Sequence, residues 1–75
     1  MLQITVFLNG SVRRYVTKDY AFKNGCKSEI DAFNYELSCV SEGDKKIIAF
    51  IDEVTDTFVY VSPITCLIEV EEMPE

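Results

Sequence analysis

Seventy-five residues give room for one core and no second domain. Hydrophobic residues make up 48% and charged residues 27%, ordinary globular usage that argues against disorder. The net charge of −6 is unevenly divided: residues 1–27 hold five bases against one acid, and residues 28–75 hold two bases against twelve acids. Such asymmetry bears on association and solubility rather than on fold.

The start, Met1-Leu2-Gln3-Ile4-Thr5-Val6-Phe7-Leu8, has no basic lead-in and too short an apolar run for a signal peptide. The longest apolar run, Ile47-Ile48-Ala49-Phe50-Ile51, is far below a bilayer span. A cytoplasmic location with no membrane partner is therefore the expectation. Cys26, Cys39 and Cys66 are widely spaced and odd in number, which indicates neither a disulfide framework nor a zinc site. They read as two small buried hydrophobes on strands and one loop thiol.

Along the chain, Asn9-Gly10 stands between two apolar-patterned stretches, the strongest short-range hairpin signal. A two-residue turn there pairs Leu8 with Ser11, Val6 with Arg13, Ile4 with Tyr15 and Leu2 with Thr17. Leu2, Ile4, Val6, Leu8 and Tyr15 then share a core face. Phe7, Val12, Val16, Gln3, Thr5 and Arg14 share the other, which is half apolar. Residues 18–29 have no clean period and read as a loop, with Asn24-Gly25 as a turn candidate and a short irregular strand as the alternative within it. Residues 28–40 fit two patterns. Ile30, Phe33, Leu37 and Val40 have helical spacing behind a possible Ser28 N-cap, whereas Phe33, Tyr35, Leu37 and Cys39 alternate as in a strand. The aromatic content favours strand, in a hairpin with 46–52 that sets Tyr35 near Phe50 and Leu37 near Ile48. Apolar residues on both faces of 46–52 predict a central strand covered on both sides. Residues 57–61 read as another strand, 62–65 as one tight 3-10 or helical turn around Pro63, and 66–70 as the last strand before a frayed acidic tail at 73–75.

The fold class expected is thus mostly β: about six short antiparallel strands in one domain over 1–72, forming a curled sheet or small barrel, with a short helix within 28–38 as the alternative. The order strand, Ser-Pro turn, strand at the C-terminus resembles the closing segment of small SH3-like or Sm-like barrels. The resemblance covers about fifteen residues and is architectural. No binding signature of those families is present, so no functional residue is carried over.

Histidine is absent, which removes imidazole bases, Ser-His and Cys-His pairs and imidazole metal ligands. The three glycines stand singly at 10, 25 and 43, so no phosphate-cradling loop exists. Asp52, Glu53 and Asp56 read as solvated turn acids without a calcium-loop pattern. A non-enzyme with no cofactor and no metal is the expectation.

Two functions compete. The first is a protein-binding module (regulator, inhibitor or adaptor) that docks through a sheet edge or apolar face. The second is a nucleic-acid-related role. It would act through the basic stretch Arg13–Lys23, whose interleaved aromatics resemble single-strand binders in style, or by acidic mimicry through Glu36, Glu42, Asp44, Asp52, Glu53, Asp56, Glu69, Glu71 and Glu72. The net charge of −6 weighs against direct nucleic-acid binding. Candidate binding residues are Arg13, Arg14, Lys18, Phe7, Val12, Val16, Glu69 and Glu71. Self-association is also expected, because short sheets leave edges and the two charge segments are complementary.

Overall fold

The computed structural model describes residues 1–18, 20, 26–43 and 47–74. Their elements are β1 (Leu2–Leu8), β2 (Ser11–Thr17), α1 (Glu29–Ser41), β3 (Ile48–Asp52), β4 (Thr57–Val61) and β5 (Leu67–Glu72). The expected Asn24-Gly25 turn, the end of the expected loop at Asp44 and the first residue of the expected strand 46–52 lie outside the described residues.

The first hairpin forms as its sequence dictates. Asn9 and Gly10 have φ of 50° and 82°, the positive values a type I′ turn needs. Leu8 pairs with Ser11, Val6 with Arg13, Ile4 with Tyr15 and Leu2 with Thr17, the register read from the turn. β5 adds antiparallel to the other edge of β1, with Ile4 opposite Val70 and Thr5 opposite Glu69. The result is a three-stranded sheet ordered β2-β1-β5. β3 and β4 form a separate two-stranded sheet in which Phe50 faces Val59.

Three expectations are corrected. First, Glu29–Ser41 is helix, which leaves five strands among the described residues instead of six. The deciding terms are local. The Ser28 hydroxyl accepts from the Asp31 N–H at 3.3 Å and caps the helix, while Glu29 and Asp31 place negative charge on its positive end. Phe33 and Val40 are buried and Ile30 and Leu37 half-buried, as helical spacing demands, whereas Tyr35 of the alternating pattern is half-exposed. Second, β3 therefore pairs with β4, not with residues 33–40, and only one of its faces is covered. Third, the sheets do not close into a barrel, because β5 pairs with β1 and, among the described residues, β4 has no second partner strand.

The core lies between the sheets and the helix: Leu2, Ile4 and Val6 of β1, Phe33 and Val40 of α1, and Ile48, Phe50 and Val61 of the second sheet. Tyr15 meets Phe50 edge-on at 5.6 Å between ring centroids, and Tyr20 packs on Phe33 at 5.3 Å. Such pairs add about 0.5–1.5 kcal/mol each beyond the area they bury. The Ser62–Thr65 turn is present, closed by the Thr65 N–H on the Ser62 carbonyl at 3.1 Å. At the far end, the Met73 N–H still donates to the Met1 carbonyl at 2.8 Å. Among the described residues, no helix is long and apolar enough to cross a membrane.

Candidate functional site

Strand pairing decides which candidate residues meet. On the outer face of the three-stranded sheet, three cross-strand rows form: Val16–Gln3–Glu71, Arg14–Thr5–Glu69 and Val12–Phe7–Leu67. Six of the eight candidates, Phe7, Val12, Arg14, Val16, Glu69 and Glu71, thus share one surface. A shallow cleft of about 520 Å³ runs over it, lined by Gln3, Thr5, Phe7, Arg14, Glu69 and Glu71. Arg14 and Glu69 stand two strand spacings apart, about 10 Å, with Thr5 between them. Arg13 points to the opposite face, with Val6 and Tyr15, and Lys18 follows the end of β2. Arg13 and Arg14 therefore do not share a patch.

A stronger feature lies on the second sheet, where sequence reasoning expected a covering layer. Ile48, Phe50 and Asp52 turn inward, which leaves Ala49 and Ile51 outward, opposite Tyr60 and Phe58. Phe58 is 65% exposed and Tyr60 67%, and their rings stack at 6.2 Å with 23° between planes. Ile47, just before β3, is exposed as well. The outward positions within β3 and β4, namely Ala49, Ile51, Phe58 and Tyr60, carry no charge. The apolar character of both faces was legible in the sequence; that only one would be covered was not.

Beside the edge of β4 lies a cleft of about 430 Å³. One wall is the overhanging end of the first hairpin, with Val6, Leu8, Arg13 and Tyr15. The other is Val59, Tyr60 and Val61. Burial along β1 shows the overhang: Leu2 and Ile4 are sealed, Val6 nearly so, and Leu8 is exposed. Arg13 is the cleft's one charged lining residue, and it makes no ion pair among the described residues.

Among the described residues, the acids do not form one surface. Asp52 and Glu36 are buried, at 4% and 5% exposure, so neither belongs to an acidic exterior. Asp52 accepts hydrogen bonds from the Val16 N–H at 3.1 Å, the Thr55 hydroxyl at 2.9 Å and the Val54 N–H at 3.5 Å. Burial pushes its carboxyl up, but the donors from Val16, Thr55 and Val54 outweigh that and hold it below the ordinary carboxylate value. Its neighbour Glu53 is exposed, and the Glu53 N–H donates to the Val16 carbonyl at 2.7 Å. Asp52 is thus a clasp between β2 and the β3–β4 turn, not a solvated turn acid. Glu29 plays a similar part, accepting from the Met1 amino group at 2.9 Å and from the Tyr20 N–H at 3.1 Å. Among the described residues, no three acids or cysteines are placed to hold a metal ion.

The cysteines are unpaired thiols, all half-buried. Neither Cys39 nor Cys66 is on a strand: Cys39 lies in α1, and Cys66 follows the Ser62–Thr65 turn, donating its thiol to the Ser62 carbonyl at 3.0 Å. A hydrogen bond with Cys39 raises the Tyr35 phenol above its ordinary value. No protein-family model, curated protein or solved structure matches the chain.

Proposed function

We propose that the protein is a small non-catalytic binding module that docks on another protein through the second sheet, by its outer face and free edge. The observation that carries this reading is the apolar face of Ala49, Ile51, Phe58 and Tyr60 on a two-stranded sheet. Two large aromatics left in water on adjacent alternate positions cost solvation that a monomer gains nothing from, and contiguous exposed apolar surface marks interaction sites. Aromatic side chains also dominate binding hot spots, because they bury much area with few rotatable bonds. The complete absence of histidine and of a glycine-rich phosphate loop fits a protein that binds rather than transforms.

The test compares two baits in lysate of the source cell. Wild-type protein should recover a protein partner in stoichiometric amount, and the double variant Phe58→Glu/Tyr60→Glu should lose it while keeping its circular dichroism and melting temperature. Because both side chains project into solvent, the variant should fold. Equal recovery by both baits would place the docking surface elsewhere. Retention of the wild type on heparin at low salt, with no protein partner recovered, would favour the nucleic-acid reading instead.

A further inference from the structure

The two sheets end in edges of opposite character. β5 (Leu67–Glu72) carries Glu69, Glu71 and Glu72, and charged side chains are the ordinary means by which an edge strand resists pairing with another chain. β4 (Thr57–Val61) reads Thr-Phe-Val-Tyr-Val, with no charge and no proline, and among the described residues it pairs only with β3. The protection present at one edge is missing from the other. Beside that unprotected edge lies the cleft of about 430 Å³, lined by Val6, Leu8, Arg13, Tyr15 and Val61 together with the polar Ser11 and Ser62.

We propose that the edge of β4 and this cleft accept an extended peptide strand of alternating apolar and acidic residues, which adds to the sheet and sets its acids against Arg13. The inference rests on the binding-module reading and names the partner's chemistry. Addition of a strand supplies main-chain hydrogen bonds at every second residue, and side chains of one parity drop into the flanking pocket. Val6, Leu8, Val59 and Val61 in the lining favour apolar side chains there. Charge selects the rest. The cleft has one cation and no acid, in a chain with thirteen acids in all, so an acidic strand is attracted locally where a basic one is repelled. Arg13 suits this role because its planar fork can hold a carboxylate by two hydrogen bonds.

The probes are two blocked eight-residue peptides, one alternating Val and Glu, the other alternating Val and Lys, titrated into ¹⁵N-labelled protein. The Val/Glu peptide should shift the amides of Thr57–Val61 and slow their hydrogen exchange. It should bind about five- to tenfold more tightly than the Val/Lys peptide, the scale of one partly exposed charge pair exchanged for a repulsion. Arg13→Glu should invert the preference, an outcome that mere damage to the fold would not produce. Equal binding of both peptides, unchanged by R13E, would overturn the proposal. So would shifts confined to residues away from β4, or light scattering that finds the free protein dimeric with the β4 amides already protected. The Phe58→Glu/Tyr60→Glu comparison reads the outer face independently, so failure at the edge leaves the docking face standing.

Discussion

The carboxylate of Asp52 ties β2 to the β3–β4 turn through donors from Val16, Val54 and Thr55. Hydrogen bonds to a charged acceptor contribute about 1.5–3 kcal/mol, and an orphaned buried N–H costs a similar amount. Asp52→Asn keeps one acceptor oxygen but loses the charge, so it should destabilise the protein by roughly 1–3 kcal/mol near neutral pH. The sign of the pH effect follows from the depressed carboxyl. The unfolded state takes up the proton first, so this stability is present above the ordinary carboxylate value and is lost as pH falls through the folded one. Urea melts at pH 7 and pH 3 should therefore show the gap between wild type and variant narrowing in acid. A constant gap would deny the clasp its charge. Tyr20 acts at the opposite end of the scale. Burial and the nearby charge of Glu36 push its phenol up to about 12, so the unfolded chain ionises first as pH rises from 10. Stability should fall between pH 10 and 12, and Tyr20→Phe should flatten that limb in a melting series. In sequence, Asp52 looks like any acid beside a turn. What sets it apart is Val16, thirty-six positions away, which no local pattern links to it.

At the scale of elements, the chain was readable where one local signal acted alone. Asn9-Gly10 fixed a turn, and period-2 apolar spacing then allowed only one register, because a slip of one residue would expose Leu2, Ile4 and Val6 together. Residues 28–41 carried two periods at once, since Phe33 and Leu37 belong to both. The tie was broken by the Ser28 cap and the first-turn acids, terms of order 1 kcal/mol that aromatic content obscured. That one change propagated, because making 33–40 a helix removed the strand partner assigned to β3. β3 nevertheless keeps its core role through a single face. Phe50 meets Tyr15 across the core and is nearly sealed from solvent. Phe50→Ala should cost about 3–5 kcal/mol, a large share of what a small domain has, whereas Ile51→Ala, on the exposed outer face, should cost well under half of that. Paired chemical denaturation curves check both. Similar costs for the two would mean that the outer face is also covered, as the sequence pattern first suggested.

At the scale of the whole molecule, strand order keeps the basic and acidic strands of the first sheet apart. β1 lies between the base-bearing β2 and the acid-bearing β5, so Arg14 and Glu69 are held about 10 Å apart. Among the described residues the one ion pair is that of the Met1 amino group with Glu29, at 2.9 Å. That pair joins the two charge segments, while Glu69, Glu71 and Glu72 crowd one strand in a molecule of net charge −6. Like charges along an edge repel over distances that salt can screen, with a Debye length of about 30 Å at 0.01 M and about 8 Å at 0.15 M. The half-buried Met1–Glu29 pair is screened much less than that exposed row. Screening should thus remove more repulsion than attraction, and the protein should melt higher at 150 mM sodium chloride than at 10 mM. For a domain of this size each kcal/mol moves the midpoint by roughly 4–8 °C, so even a partial relief is measurable. Replacing Glu69, Glu71 and Glu72 by glutamine should raise the low-salt melting temperature and shrink the salt effect, which identifies the repelling row. A melting temperature that falls as salt is added would instead show that attraction between the basic and acidic segments dominates the folded state.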